Sequence, residues 1–165
     1  MKALFIGRFQ PFHNGHLKVI KYILSKYDEI VIGIGSSQYK NTSKNPFSFN
    51  ERKKMIENTL KKEGISDYRI IDIPDIHNPP KWVDHILSIY SDVEVVATNN
   101  SFTKKLFENK GYKVINTPIF DGEKFSGKNI RKKIKNNEQW QNLVPESVLE
   151  IIKKVNGIQR IKSLD

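Results

Sequence analysis

The sequence predicts an α/β fold, one parallel sheet with helices on both faces, in a single domain covering residues 1–165. Two observations carry this. Short, almost wholly apolar runs alternate with longer segments whose apolar residues recur every three or four positions, the order expected of strand–helix–strand units. No repeat, low-complexity tract or Gly/Ser linker interrupts the alternation, and 165 residues suffice for one buried core.

The elements follow in order. "KALFIG" (2–7) reads as the first strand, and "HLKVIKYILSKY" (16–27) as a helix with Leu17, Ile20, Leu24 and Tyr27 at helical spacing. "EIVIGIG" (29–35) is nearly all apolar, as a strand buried on both faces should be. After a polar loop, Ser48 and Glu51 form a capping-box signature for the helix "ERKKMIENTLKKE" (51–63). "YRIIDIP" (68–74) is a third strand, "KWVDHILSIY" (81–90) a helix and "VEVVAT" (93–98) a fourth strand. "SFTKKLFENKG" (101–111) is a helix stopped by Gly111, and "YKVIN" (112–116) a short strand. A helical carboxyl-terminal segment, about 126–160, then opens with "SGKNIRKKI" and closes with "PESVLEIIKKVNG", with Gly157 past its end.

Ligands of such sheets bind beyond the carboxyl ends of the strands, where strand order reverses. The first strand ends near Gly7, so "GRFQPFHNGHL" (7–17) falls on the binding edge. His13 and His16, three apart, share one face of the first helical turn, where free amides and the positive end of the helix dipole point outward. With Gly15 allowing close approach of the backbone, this turn is a candidate phosphate cradle. The alternative is that one histidine caps the helix while the other packs against Phe9 or Phe12. A two-histidine metal site would need a third ligand, and neither H-E-x-x-H nor a G-x-S-x-G serine elbow occurs. "GIGSSQ" (33–38) lacks the third glycine of a dinucleotide loop and the lysine of a P-loop.

A second helix start, "FSGKNIRKK" (125–133), offers Ser126 as N-cap, Gly127 as an approachable backbone and Arg131 one turn on. Alone it could be an ordinary capped basic helix. Two such starts facing one crevice could hold a triphosphate from both halves of the sheet.

Composition narrows the classes further. The chain has no cysteine, which excludes disulfides, thiolate catalysis and sulfur-bound zinc. No apolar run approaches a membrane span, and "MKALFIGRF" is too short for a signal peptide, so a cytoplasmic protein without membrane contact is expected. The formal charge of +10 fits either a lysine-rich solvated surface that draws in small polyphosphates or a nucleic-acid-binding module. The first reading is preferred because the excess lies in short helical stretches without a basic tail.

The H-x-G-H of the opening turn and the S-G-x-x-x-R near the carboxyl end resemble the two signatures of the nucleotidyltransferase superfamily. "IGRFQPFHNGHL", "GIGSSQ", "NPFSFNER", "GYKV" and "LVPESVLEII…NGIQRIK" are similar, nearly end to end, to archaeal nicotinamide-nucleotide adenylyltransferases. The resemblance implies a Rossmann-like nucleotidyltransferase fold and an enzyme joining ATP to nicotinamide mononucleotide, with magnesium accompanying the ATP. It also implies a homo-oligomer, often a hexamer, and no nucleic-acid partner. Carried over by position, it implies an ATP site of Gly7, Arg8, Phe9, His13, Gly15, His16, Lys44, Ser126, Gly127 and Arg131. Of these His16, His13 and Arg131 are the catalytic candidates, with no resident protein-held metal. Trp82, stacking on the pyridine ring, is implied on the acceptor side with Asp75, Ile76, Asn78 and Asn100. For Trp82 a core packing role is the alternative, and for Asp75 and Asn100 turn capping. A neutral imidazole can donate one hydrogen bond and a protonated one offers both nitrogens, so a pH-dependent rate is expected of the histidines.

Two positions depart from the pattern. Lys128 stands where the family usually has threonine, and Pro79 where it usually has asparagine, with Asn78 one place earlier. Other readings are transfer to a different phosphorylated acceptor (a flavin mononucleotide, phosphopantetheine or glycerol phosphate), a basic nucleic-acid module, and an inactive nucleotide sensor.

Overall fold

The computed structural model describes all 165 residues. Five parallel strands, β1 (Lys2–Gly7), β2 (Glu29–Gly35), β3 (Tyr68–Ile73), β4 (Val95–Thr98) and β5 (Lys113–Asn116), lie in the order β3-β2-β1-β4-β5. The central strands β1, β2 and β4 are apolar runs because both of their faces are covered, whereas β3 and β5 at the edges carry exposed polar residues. Along β1, Ala3 and Phe5 enter one core while Leu4 enters the other, and β2 splits Ile30, Ile32 and Ile34 from Val31 in the same way.

The larger core packs under α1 (Asn14–Leu24), α2 (Phe49–Lys62), α5 (Gly127–Lys135), α6 (Glu146–Lys154) and α7 (Gly157–Ser163). The smaller lies under α3 (Pro79–Ile89) and α4 (Ser101–Asn109), through Val83, Ile86 and Phe107. Strand order reverses between β1 and β4, whose register pairs Ala3 with Val95 and Leu4 with Val96. The crevice of the fold therefore opens beyond the carboxyl end of β1, where the opening motif begins. No helix is long and apolar enough to cross a membrane.

Local chemistry sets the helix limits. Ser48 Oγ accepts the Glu51 amide at 3.2 Å while Glu51 Oε1 accepts the Ser48 amide at 2.9 Å, closing the expected capping box of α2. Gly111, at φ +86°, takes the left-handed turn after α4. One boundary differs from the sequence reading. Gly157 does not end the chain's last helix; Asn156 takes the left-handed conformation, φ 56°, and Gly157 starts α7. A Cβ on Gly157 would lie 2.9 Å from the Phe47 ring, so the glycine serves close packing there.

Arg160 on α7 ties the carboxyl-terminal helices to the start of α2. It binds Glu51 through two hydrogen bonds, Nη1 to Oε1 at 2.6 Å and Nη2 to Oε2 at 2.9 Å, and donates to the Pro46 carbonyl at 3.0 Å. Burial by itself would raise the Glu51 pKa, but the Arg160 fork and the Ser48 amide outweigh it and hold the carboxyl below its usual range.

Glu51→Ala should lower unfolding stability by about 2–3 kcal/mol in denaturant melts, because it removes a charged fork and one half of the cap together. Lys62→Ala, at the exposed Lys62–Glu146 pair, should leave the midpoint unchanged.

Candidate functional site

The polar residues between β1 and α1 divide into those that build the turn and those left free by it. Phe9 takes φ 55° and is 1 % exposed, its ring against Phe5, Phe12 and His16. Of the residues expected to line the ATP site, Phe9 can therefore reach a ligand only through its main chain. Buried Gln10 acts as a surrogate strand: its Nε2 donates to the Phe47 carbonyl and its Oε1 accepts the Phe47 amide, both at 2.9 Å. That amide pair anchors the turn to the loop before α2.

His13 and His16 form a reciprocal cap. His13 Nδ1 accepts the His16 amide at 3.3 Å and His16 Nδ1 accepts the His13 amide at 3.1 Å, with ring centroids 3.5 Å apart and nearly parallel. An imidazole nitrogen that accepts an N–H carries no proton, so each ring is the Nε2–H tautomer. The alternative of capping and packing thus holds, for His13 caps α1 and His16 packs against Phe9 and Phe12. One Nε2–H donor per ring remains.

Burial lowers the His13 pKa to about 4, and burial followed by the proximity of His13 drives that of His16 well below its ordinary value. Of the neutral and protonated forms expected, burial favours the neutral one. In the unliganded protein at neutral pH both are neutral, single-donor groups.

The start of α5 is docked onto this turn. Ser126 Oγ caps it by accepting the Asn129 amide at 3.1 Å. Gly15 is packed so closely that a Cβ there would lie 2.7 Å from Phe125 Cβ, and a Cβ on Gly127 would lie 2.9 Å from the Gln10 carbonyl. Arg131 Nη1 donates to that carbonyl at 2.7 Å. Its pKa is lowered to about 10, first by burial and then by neighbouring Arg8, so it remains a cation. The structure thus brings His13, His16, Arg8, Gly15, Ser126, Gly127 and Arg131 to one junction between the halves of the sheet. Lys44 is exposed in the loop before α2. Its neighbour Ser43 joins Lys128, Arg131, Lys132 and Lys135 in lining a basic cleft of about 310 Å³.

On the other side lies a crevice of about 370 Å³ whose walls include Gly7, Arg8, Asp75, Asn78, Trp82 and Asn100. Trp82 is half-buried, packed edge-on against Phe107 at 5.8 Å, and still forms part of this wall. Asn100 caps α4, its Oδ1 accepting the Thr103 amide at 2.9 Å. Asn78 makes no side-chain cap bond, and Asp75 accepts the His77 amide at 2.9 Å. Ile76 shares this loop, but its exposed side chain lies outside the crevice wall.

Several contributors were not legible in sequence. Gln38 pairs with the backbone of Asp75 through two bonds, Nε2 to the carbonyl at 2.8 Å and the amide to Oε1 at 2.9 Å. Tyr39 hydrogen-bonds His77 beside it, joining the loops after β2 and β3. Phe102, largely exposed, adds a second aromatic group to the crevice wall. Buried Arg52 supports the loops from beneath. Its one sequence signal is a charge at position 52 of an α2 stripe otherwise made of Met55, Ile56, Thr59 and Leu60. No cluster of three or more His, Asp or Glu side chains is arranged to hold a metal. The junction offers N–H donors and cations, which suit phosphate oxygens, and a divalent ion fits here only as a companion of a polyphosphate.

Residues 4–133 match the model of the cytidylyltransferase-like family. The chain is 40% identical over 164 residues to a nicotinamide-nucleotide adenylyltransferase of Picrophilus torridus, covering 99% of this chain and 97% of that one. It is 44% identical over 165 residues to one of Methanococcus aeolicus, covering 100% and 95%. Among solved structures it resembles a bifunctional NMN adenylyltransferase/ADP ribose pyrophosphatase from Francisella tularensis, complexed with AMP and a manganese ion. The TM-score is 0.81 at 26% identity; the match covers 98% of this chain and 52% of that one, so the chain spans about half of that protein.

A histidine with a pKa of 6.5 unfolded and about 4 folded contributes stability that is complete above pH 6.5 and is lost as pH falls toward 4. His13→Asn keeps a capping side chain without the titration. Between pH 7 and pH 5 the wild type should lose about 2 kcal/mol more unfolding free energy than this variant, measured by urea titration.

Proposed function

The chain belongs to the cytidylyltransferase-like family, among its nicotinamide-nucleotide adenylyltransferases, and from that premise we propose how it joins ATP to nicotinamide mononucleotide. The acceptor's 5′-phosphate oxygen attacks the α-phosphorus of ATP in line. A new P–O bond forms as the bond to the β-phosphate bridging oxygen breaks, and that electron pair leaves with pyrophosphate. The products are NAD and pyrophosphate. The nucleophile is already an anion, so the protein need not remove a proton. Its work is to position two polyanions and stabilise charge on the transferring group.

One observation supports this reading: the α5 start docks on the turn that holds the His13/His16 cap, with Arg131 anchored to the Gln10 carbonyl of the same turn. In this reading His16 and His13 donate to the phosphates nearest the reacting phosphorus, and Arg131 holds the β- and γ-phosphates. Arg8 adds charge from the crevice edge. The amides around Gly7, Gly15 and Gly127, the Ser126-capped helix end and Lys44 complete the ATP side. Lys128 supplies an ammonium where relatives' threonine would supply a hydroxyl, a stronger point charge with less directional bonding.

On the acceptor side, Trp82 stacks on the pyridinium ring, with Asp75, Asn78 and Asn100 on ribose or amide groups and Ile76 at the margin. Magnesium enters with ATP as part of the substrate. The working enzyme in this reading is a cytoplasmic homo-oligomer, a hexamer being the first assembly to test by sedimentation.

Pure protein incubated with ATP, magnesium and nicotinamide mononucleotide should yield NAD and pyrophosphate. Parallel reactions with the nicotinate analogue and flavin mononucleotide report acceptor choice. Product from flavin mononucleotide alone would redirect the assignment, and no product from any would overturn it. His16→Ala should lower kcat by about two orders of magnitude or more, as loss of a charge-stabilising donor does. Trp82→Ala should raise the acceptor KM about tenfold and leave the KM for ATP nearly unchanged.

A further inference from the structure

Arg52, on the second turn of α2, is 0% exposed, and no carboxylate lies within ion-pair distance of it. A cation in such a place needs its five donors satisfied. Here the partners are all main-chain carbonyls. Nη1 donates to Arg8 and Gly35, both at 2.9 Å, and Nε to Ser48 at 3.2 Å. Nη2 reaches Ser36, Ser37 and Tyr39 at 3.3, 3.5 and 3.4 Å. One side chain thus binds the loop after β1, the loop after β2 and the cap of its own helix.

The direction of these bonds matters more than their number. In a trans peptide the carbonyl and the following N–H point opposite ways. Drawing the Arg8, Ser37 and Tyr39 carbonyls inward turns the amides of Phe9, Gln38 and Lys40 away from the guanidinium, and none of these three amides meets a protein acceptor. Arg8, Gly35 and Ser36 also line the crevice. Burial, the largest influence, lowers the Arg52 pKa to about 10, partly countered by the field of Asp72, so the group stays charged at neutral pH.

We propose that Arg52 is a positioning residue of the ATP site. It holds the two crevice-edge loops by their carbonyls so that their amides face the nucleotide, and it places a positive charge without a direct ion-pair partner beneath the phosphates. The inference rests on the adenylyltransferase reading and names a part of that site which touches no substrate.

The test compares Arg52→Lys, Arg52→Met and Arg52→Ala with wild type, each assayed well below its own melting temperature. Lysine keeps the charge but cannot span the loops. Arg52→Lys should lose about tenfold or more in kcat/KM for ATP, with the acceptor KM changed by no more than about twofold. Millimolar guanidinium should restore part of the activity of Arg52→Ala, and methylammonium should not. Equal rises in both KM values, wild-type behaviour of Arg52→Lys, or losses that vanish on correction for folded fraction would each overturn the proposal. Calorimetric MgATP binding to the same proteins is read independently of turnover, with about tenfold weaker binding expected for Arg52→Lys. A wild type that makes no dinucleotide would therefore count against the reaction, whereas unchanged MgATP affinity in Arg52→Lys would count against the role of Arg52. If Arg52→Met fails to fold, the lysine variant and the guanidinium rescue still decide.

Discussion

The close approach of two helix starts is the constraint on which the site depends. The first belongs to the strand–helix unit that opens the chain, and the second arrives more than 100 residues later. They meet with no room for a Cβ, at Gly15 against Phe125 and at Gly127 against the Gln10 carbonyl. Arg131 binds that same carbonyl and so fixes its guanidinium to the far side of the junction. The strand order that reverses at β1 supplies the gap, and the glycines let backbone fill it. Polyanion binding needs many donors converging within a few ångströms, and a single capped helix end cannot provide them.

The histidine pair shows how one side chain can serve structure and chemistry together. A capping box normally uses a hydroxyl and a carboxylate. Here imidazole nitrogens take both parts, which occupies the amides of His13 and His16, leaves those of Asn14 and Gly15 without a protein acceptor, and assigns the ring protons. Stacking among Phe9, Phe12, His13 and Phe125 then removes the rings from water and keeps them neutral. A neutral donor held without reorganisation stabilises a charge that grows during reaction, and it does not bind resting anions as tightly as a permanent cation would. The permanent charges, Arg8, Arg131 and buried Arg52, sit around it.

Much of the fold was legible in the sequence because its central strands are buried on both faces and several of its helices carry explicit caps. "EIVIGIG" could hardly be anything else, and Ser48, Ser126 and Gly111 mark boundaries the backbone obeys. The last helix was not legible, because Gly157 has the form of a stop signal but is a packing glycine beside Phe47, while Asn156 makes the turn. At the site, "HNGH" and "SGKNIR" stood out as paired anion-binding helix starts. What they could not reveal was which ring nitrogens are already used, since that depends on amides three residues away in a particular geometry. Gln10, Gln38 and Arg52 escaped for a related reason. Their partners are main-chain groups of distant loops, and a residue type does not say which carbonyl it will meet.

The most direct test of this account is a crystal structure of the protein with magnesium and a non-reactive ATP analogue. The account predicts both histidine Nε2 atoms within hydrogen-bond distance of phosphate oxygens, with Arg131 donating to the same triphosphate while it keeps its bond to the Gln10 carbonyl. Phosphates bound by only one of the two helix starts, or either histidine turned to offer Nδ1, would contradict it.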